Sequence, residues 1–281
     1  MVVVDAHQHL WSLERPEDYP WLTEDYGPIY RTFTQAEIEP QLAAAGVDKT
    51  VLVQSMDSYA DTAAMFAAAR AWPRIAGIVG WVPLDRTGEA EAMLDQLGDD
   101  PLLVGIRHLI HTEPDPDWVV RDEVQAGLEL LSRRGLAFDV VAVLPRHLEH
   151  VPVLAARNPE LRLVIDHLAK PPIRQQEWEP WSSLLEAAAA HPNVYAKVSG
   201  LNTAAEPDTW SAEDLRPYVQ RAVDLFGAGR LMYGGDWPVA ILAGDYAKVW
   251  DQTNRVLSTL SSADREKVLG GTAVDVYRLA L

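Results

Sequence analysis

The chain has 281 residues, and 24 Lys plus Arg against 41 Asp plus Glu give it a formal net charge of −17. Such acidity repels nucleic acid and anionic membranes, and no compact Lys/Arg cluster offsets it. The absence of cysteine excludes disulfides, thiolate nucleophiles and Cys-ligated zinc, and it fits a cytoplasmic protein.

The N-terminus shows no basic and apolar leader pattern. No uninterrupted apolar run approaches the ~18 residues that span a bilayer. Residues 1–281 are therefore expected to form one soluble domain, without nucleic-acid or membrane partners. A chain of this length buries roughly three quarters of its unfolded surface. Nothing in it specifies an oligomeric state.

In chain order, apolar and β-branched runs alternate with Ala/Leu/Glu-rich segments. Eight strands are predicted, over 2–6, 50–54, 75–82, 103–109, 137–141, 161–167, 194–199 and 231–235. Most are apolar on both faces, as strands covered by helices must be. The helical patterns between them often stop at Gly or Pro, as at Gly46, Pro73 and Gly135. Thr34-Gln35-Ala36-Glu37 is a candidate capping box for the first helix. Strict βα alternation predicts a single closed (β/α)8 TIM barrel. An open doubly wound sheet usually carries a glycine-rich phosphate turn after its first strand, and none is present.

The longest irregular piece, residues 10–33, holds Trp11, Tyr19-Pro20-Trp21-Leu22 and Tyr26-Gly27-Pro28. A loop of that length beside a barrel mouth is expected to act as a lid, a plug or both.

Chemistry in such barrels sits at the C-terminal strand ends. Those ends carry His7 and His9, Gln54-Ser55, Trp81, Arg107-His108, Asp166-His167 with Lys170, Lys197 and Ser199, and Gly235-Asp236-Trp237-Pro238. Side chains alternate faces along a strand, so Asp5, His7 and His9 are expected to point the same way. The two imidazoles suit a divalent ion or a pair of hydrogen-bond donors, and Asp5 would support them from one pleat below. Asp236 can ligate a metal and accept a proton from water. His167 can ligate or polarise a carbonyl. Arg107 and His108 cannot both face inward. Arg107 is preferred, because a guanidinium suits a carbonyl or carboxylate. Lys197 is expected to pair with Asp139 across the barrel. His147, His150 and His191 read as solvated surface, and His111 is unassigned. Nucleophile-elbow, Walker A and H-E-x-x-H patterns are absent.

Asp5-Ala6-His7-Gln8-His9-Leu10-Trp11, Val53-Gln54, Gly105-Ile106-Arg107-His108, Asp166-His167-Leu168-Ala169-Lys170-Pro171, Lys197-Val198-Ser199-Gly200-Leu201 and Gly235-Asp236-Trp237-Pro238-Val239 together resemble the amidohydrolase superfamily. Within it, they resemble the branch of sugar-lactone and related lactone hydrolases. The resemblance implies a distorted barrel and site roles for His7, His9 and His167, with Asp236 as general base. It also implies a divalent ion, zinc foremost, although lactonases of this branch also work without one. Arg107 on strand four implies one metal at most. Gly235 stands where a serine is usual, and Gly271-Thr272-Ala273 where Gly-Asn-Ala is common.

The expected activity is ring opening of a small-molecule lactone by activated water. The metal set would be His7, His9 and Asp236. Asp236, His167 and Arg107 would be catalytic, and Gln54, Trp81, His108, Trp21 and Trp237 would shape the substrate pocket. Alternatives on the same barrel are a metal-dependent decarboxylase of an unsaturated or aromatic acid, and a sugar-acid-binding barrel without turnover.

Overall fold

A computed structural model describes residues 2–281. Eight parallel strands follow one another around a barrel: β1 (Val4–Gln8), β2 (Lys49–Val53), β3 (Ile75–Gly80), β4 (Leu103–His108), β5 (Ala137–Val140), β6 (Leu163–Ile165), β7 (Val194–Val198) and β8 (Leu231–Tyr233). Each strand neighbours the next in sequence order. The seam between β8 and β1 is sewn just above the strands, where His9 N donates to Trp237 O and Asp236 N to His7 O, both at 2.8 Å. The seam thus joins the two stretches that carry the candidate ligands. The pairing register shifts within β1–β2, β2–β3 and β3–β4, which is the expected distortion of the barrel.

Eight helices wrap the strands: α1 (Gln35–Ala45), α2 (Tyr59–Ala71), α3 (Thr87–Leu97), α4 (Asp122–Arg133), α5 (Pro145–Arg157), α6 (Trp181–Ala189), α7 (Ala212–Phe226) and α8 (Tyr246–Leu257). Their ends follow from local chemistry. Gly46 ends α1 in the left-handed conformation, at φ 68°, which costs a residue without Cβ nothing. Ser58 and Asp245 cap α2 and α8 by accepting from Asp61 N and Lys248 N. The capping box expected at Thr34 does not form, because its side chain makes no cap bond and Glu37 binds Arg31 instead. Two short helices, α9 (Ser262–Glu266) and α10 (Thr272–Tyr277), complete the chain. No helix among the described residues is long and apolar enough to cross a membrane.

The barrel interior is apolar at its lower end, where Val4, Ala6, Val51, Val79 and Val164 meet Tyr277 and Leu279 from the C-terminus. A second apolar layer, around Leu52, Ile78, Ile106, Phe138, Leu163 and Ala196, packs outward against the helices. Above the apolar floor the interior becomes charged. Lys197 pairs with Asp139, as the sequence suggested, and lies 3.1 Å from Asp166 Oδ1. Tyr277 donates its hydroxyl to Asp139 from below, at 2.8 Å.

Asp5 corrects the simple alternation expected for β1. Val4 and Ala6 face the barrel interior, so Asp5 faces outward, toward α8, and accepts from Tyr246 Oη at 2.8 Å. The register break between Asp5 and Gln8 then returns His7 to the interior. Asp5 still supports the site, but through the backbone, by accepting from His7 N at 3.1 Å and Gly235 N at 2.8 Å.

Candidate active site

His7, His9 and Asp236 converge at the top of the barrel. His7 Nε2 and His9 Nε2 are 3.1 Å apart, and Asp236 Oδ1 lies 3.8 Å and 3.5 Å from them. His9 Nδ1 donates to Val53 O at 2.8 Å, so its Nε2 is an acceptor. Lys197 Nζ reaches His7 Nδ1 at 3.0 Å. Asp166 Oδ1 lies 3.3 Å from the same nitrogen, so His7 Nδ1 stands between an ammonium and a carboxylate.

His167 joins from β6, with its ring centroid 4.5 Å from that of His7. Ser199 Oγ holds its Nδ1 at 2.8 Å. Arg107 enters from β4, donates to Asp166 Oδ2 at 2.9 Å and bonds the Gln54 carbonyl. Asp166 is a residue the sequence reading left without a role. It lies below the site and balances both Arg107 and Lys197. The signal for it was its place beside His167 at the end of a very short strand.

Burial lowers the pKa of His7 well below the ordinary imidazole value, and the Lys197 charge adds to the effect. Burial likewise pushes His167 down to about 3, so both rings are neutral near pH 7. Burial opposes ionisation of Asp236, but His167, His9, His7 and Lys170 outweigh it and hold the carboxyl well below its usual range. Asp236 is therefore an anion, and its buried Oδ2 has no hydrogen-bond partner.

Backbone strain accompanies these groups. Asp236 sits at φ 53°, and His167, Leu168, Ala169 and Lys170 form an unbroken left-handed run at φ 55°, 50°, 58° and 51°. Each such residue costs on the order of 1–2 kcal/mol. The run turns both His167 and Lys170 toward one cavity. Gly200, at φ 57°, completes the packing, since an added Cβ would lie 2.5 Å from Asp236 Oδ2 and 2.6 Å from His167 Nδ1. Gly200→Ala is expected to displace these groups and lower kcat by about 10²-fold. Steady-state kinetics beside a thermal melt checks this, and unchanged kcat would show that the crowding is relieved elsewhere.

The cavity above these groups measures about 320 Å³ and includes His9, Ser55, Arg107, His111, His167, Lys170 and Asp236 among its walls. Trp11, Trp21 and Tyr26 supply an aromatic side, and Leu109, Val141, Val143 and Val239 an apolar one. Burial and the nearby Arg107 charge push His111 down to about 4, so it is neutral too.

The aromatic side belongs to the 10–33 loop. That loop is anchored by Tyr19 Oη to Asp61 at 3.0 Å and by Trp11 Nε1 to Arg31 O at 2.8 Å. It both covers the barrel top and lines the cavity.

Of the expected pocket residues, Trp21 lines the cavity, whereas Gln54, Trp81, His108 and Trp237 do not. Arg107 faces inward, so alternation turns His108 outward. There His108 stacks on Trp118 at 4.0 Å, accepts from Trp81 Nε1 at 3.2 Å and meets Glu113 at 2.8 Å. That bond takes Trp81 outward as well. Gln54 donates sideways to Asp57 at 2.9 Å. Trp237 is buried beneath Phe33, edge to face at 5.2 Å. His147 and His150 are also buried rather than solvated. His147 Nδ1 accepts from Leu144 N at the start of α5, and His150 binds Asp117 at 2.8 Å.

His7, His9 and Asp236 offer three ligand atoms within 4.8 Å of one another, and His7, Asp166 and His167 offer another such group. The first group fits a divalent ion better. Zinc takes ligands at roughly 2.0–2.2 Å, compatible with two Nε2 atoms 3.1 Å apart. Asp236 also has an uncommitted oxygen, whereas both oxygens of Asp166 face cations.

The barrel, the paired histidines at the end of β1 and the aspartate after β8 define a class. The family model described as Amidohydrolase matches residues 4–279, and the chain belongs to that family. Two L-fucono-1,5-lactonases are among its relatives. The one from Burkholderia ambifaria is 39% identical over 98% of this chain and 95% of its own length. The one from Burkholderia multivorans is 34% identical over 98% and 96%. A crystal structure of a Burkholderia multivorans amidohydrolase with bound zinc superposes with a TM-score of 0.92 at 30% identity and covers both chains fully.

Proposed function

We propose that this chain hydrolyses the ring ester of a sugar lactone. The observation that carries the reading is the ionised Asp236, with one oxygen toward His7 and His9 and the other unpaired beside the cavity. The kinship with two L-fucono-1,5-lactonases supports it. A water beside Asp236 loses a proton to the carboxylate as its oxygen attacks the lactone carbonyl carbon. Arg107 and the neutral His167 stabilise the negative charge that gathers on the carbonyl oxygen. Trp11, Trp21 and Tyr26 receive the C–H face of the sugar ring and exclude bulk water.

His7, His9 and Asp236 would hold one divalent ion, zinc first. When bound, the ion supplies Lewis-acid polarisation and a more acidic water. Zinc titrated into chelator-treated protein is expected to bind at one equivalent and to be lost in His9→Asn, as measured by equilibrium dialysis and metal analysis. Stoichiometric zinc in that variant would place the ion elsewhere.

The activity itself is tested by acid release from a panel of aldonolactones, L-fucono-1,5-lactone included, with and without chelator treatment. Absence of acid from every member would overturn the reading. Carbon dioxide from an aromatic or unsaturated acid would move the assignment to a decarboxylase. Ligand-dependent stabilisation without product would leave a sugar-acid-binding barrel.

A further inference from the structure

Ring opening leaves an alkoxide, which needs a proton as the C–O bond breaks. Asp236 is well placed to take a proton from water. A second group at the cavity wall is free to give one.

Lys170 follows β6 at the end of the left-handed run and lines the cavity. An ammonium has three N–H donors. Thr203 Oγ1 donates to Gly200 O at 2.9 Å, which leaves that oxygen as an acceptor. Lys170 Nζ donates to Thr203 Oγ1 at 3.0 Å and to Gly200 O at 3.3 Å. Two N–H bonds are thereby committed to the wall and the third is unassigned. Among the described residues no carboxylate lies within ion-pair distance of Lys170, whereas Arg107 and Lys197 each have one. A strained backbone that presents an unpaired ammonium to the cavity is costly unless the charge is used there.

We propose that Lys170 is the catalytic acid that protonates the departing ring oxygen. This rests on the lactonase reading above. The steps balance. Water's O–H bond breaks, its proton goes to Asp236, and its oxygen bonds the carbonyl carbon to give a tetrahedral oxyanion. The carbonyl re-forms, the ring C–O bond breaks with its electron pair on the ring oxygen, and an Nζ proton of Lys170 moves to that oxygen. The hydroxy acid leaves, and solvent carries the proton from Asp236 back to Lys170. Burial lowers the pKa of Lys170 below the ordinary lysine value, which favours the transfer.

Leaving-group dependence tests the assignment. A sugar lactone expels an alkoxide and needs the proton. Dihydrocoumarin, an aryl lactone, expels a phenolate whose conjugate acid ionises near pH 10, about like tyrosine, and needs little help. Lys170→Met is expected to lower kcat on an aldonolactone by roughly 10²–10⁴-fold and on dihydrocoumarin by far less. The second substrate doubles as a folding control. Lys170→Ala with added ethylammonium should recover aldonolactone turnover in proportion to the amine. Equal losses on both lactones, or unimpaired aldonolactone turnover in Lys170→Met, overturn the assignment. Should wild type ignore dihydrocoumarin, the amine decides, and failure of rescue overturns it. Wild type that opens no lactone would refute the hydrolase reading instead.

Discussion

Asp236→Asn is expected to lower kcat by roughly 10²–10⁴-fold, the usual worth of a positioned base, with the fold intact. The amide has the carboxylate's shape but cannot take a proton from water. The seam is made by the backbone of residue 236, whose N–H donates to His7 O at 2.8 Å, so closure survives the change. Asp236 is also kept ionised by His167, His9, His7 and Lys170 against the cost of burial. The variant therefore leaves four polar groups without their anion, and some loss of substrate or metal binding accompanies the loss of rate. Single-turnover acid release and a thermal melt separate these effects. Turnover within about tenfold of wild type would hand the base role to another group.

Lys197→Met is expected to cost the most stability. The ammonium is fully buried between Asp139 and Asp166, with His7 Nδ1 at 3.0 Å. Removing one partner of such a cluster typically costs about 3–5 kcal/mol, because the remaining charge is stranded in a medium that solvates it poorly. For Lys197→Met two carboxylates are stranded, relieved by Arg107 and His7 on Asp166 and by Tyr277 on Asp139. His7 also loses the ammonium beside its Nδ1. Urea unfolding should show a lower midpoint at unchanged slope, and a midpoint equal to wild type would mean that the barrel interior admits water.

The two results would separate what the upper barrel does chemically from what its charged middle layer does structurally. That division was only partly legible in the sequence. All eight strands could be read from β-branched runs such as Val2-Val3-Val4 and Leu163-Val164-Ile165, because burial on both faces leaves so plain a pattern. His7, His9, His167, Arg107 and Asp236 stood out as polar groups closing apolar runs, and the structure gathers all five.

Alternation failed where the backbone does. The register break after Asp5 turns that side chain toward Tyr246, which no count of residues foretells. Residues beyond the strand ends were harder still. Trp81 and His108 sit at the right depth, but they bond each other outside the cavity wall. Lys170 and His111 reach the cavity from turns whose dihedral angles carry no hydrophobic period. His147 and His150 were misjudged because their partners, Leu144 N and Asp117, are a turn and a loop contact. Asp166 has no pattern of its own, and its meaning depends on Arg107 and Lys197 arriving from strands far apart in the chain.

The four consecutive left-handed residues from His167 to Lys170 also set terms for anyone wishing to re-engineer this enzyme. A side chain branched at Cβ tolerates that conformation worst, and glycine or asparagine best. Saturation libraries at positions 168 and 169 should therefore return an asymmetric set of survivors, poor in valine, isoleucine and threonine whatever lactone is used for selection. Changes of substrate range are better sought on the aromatic side, where Trp21 and Tyr26 can be exchanged without disturbing the hinge on which the acid and the imidazole both hang.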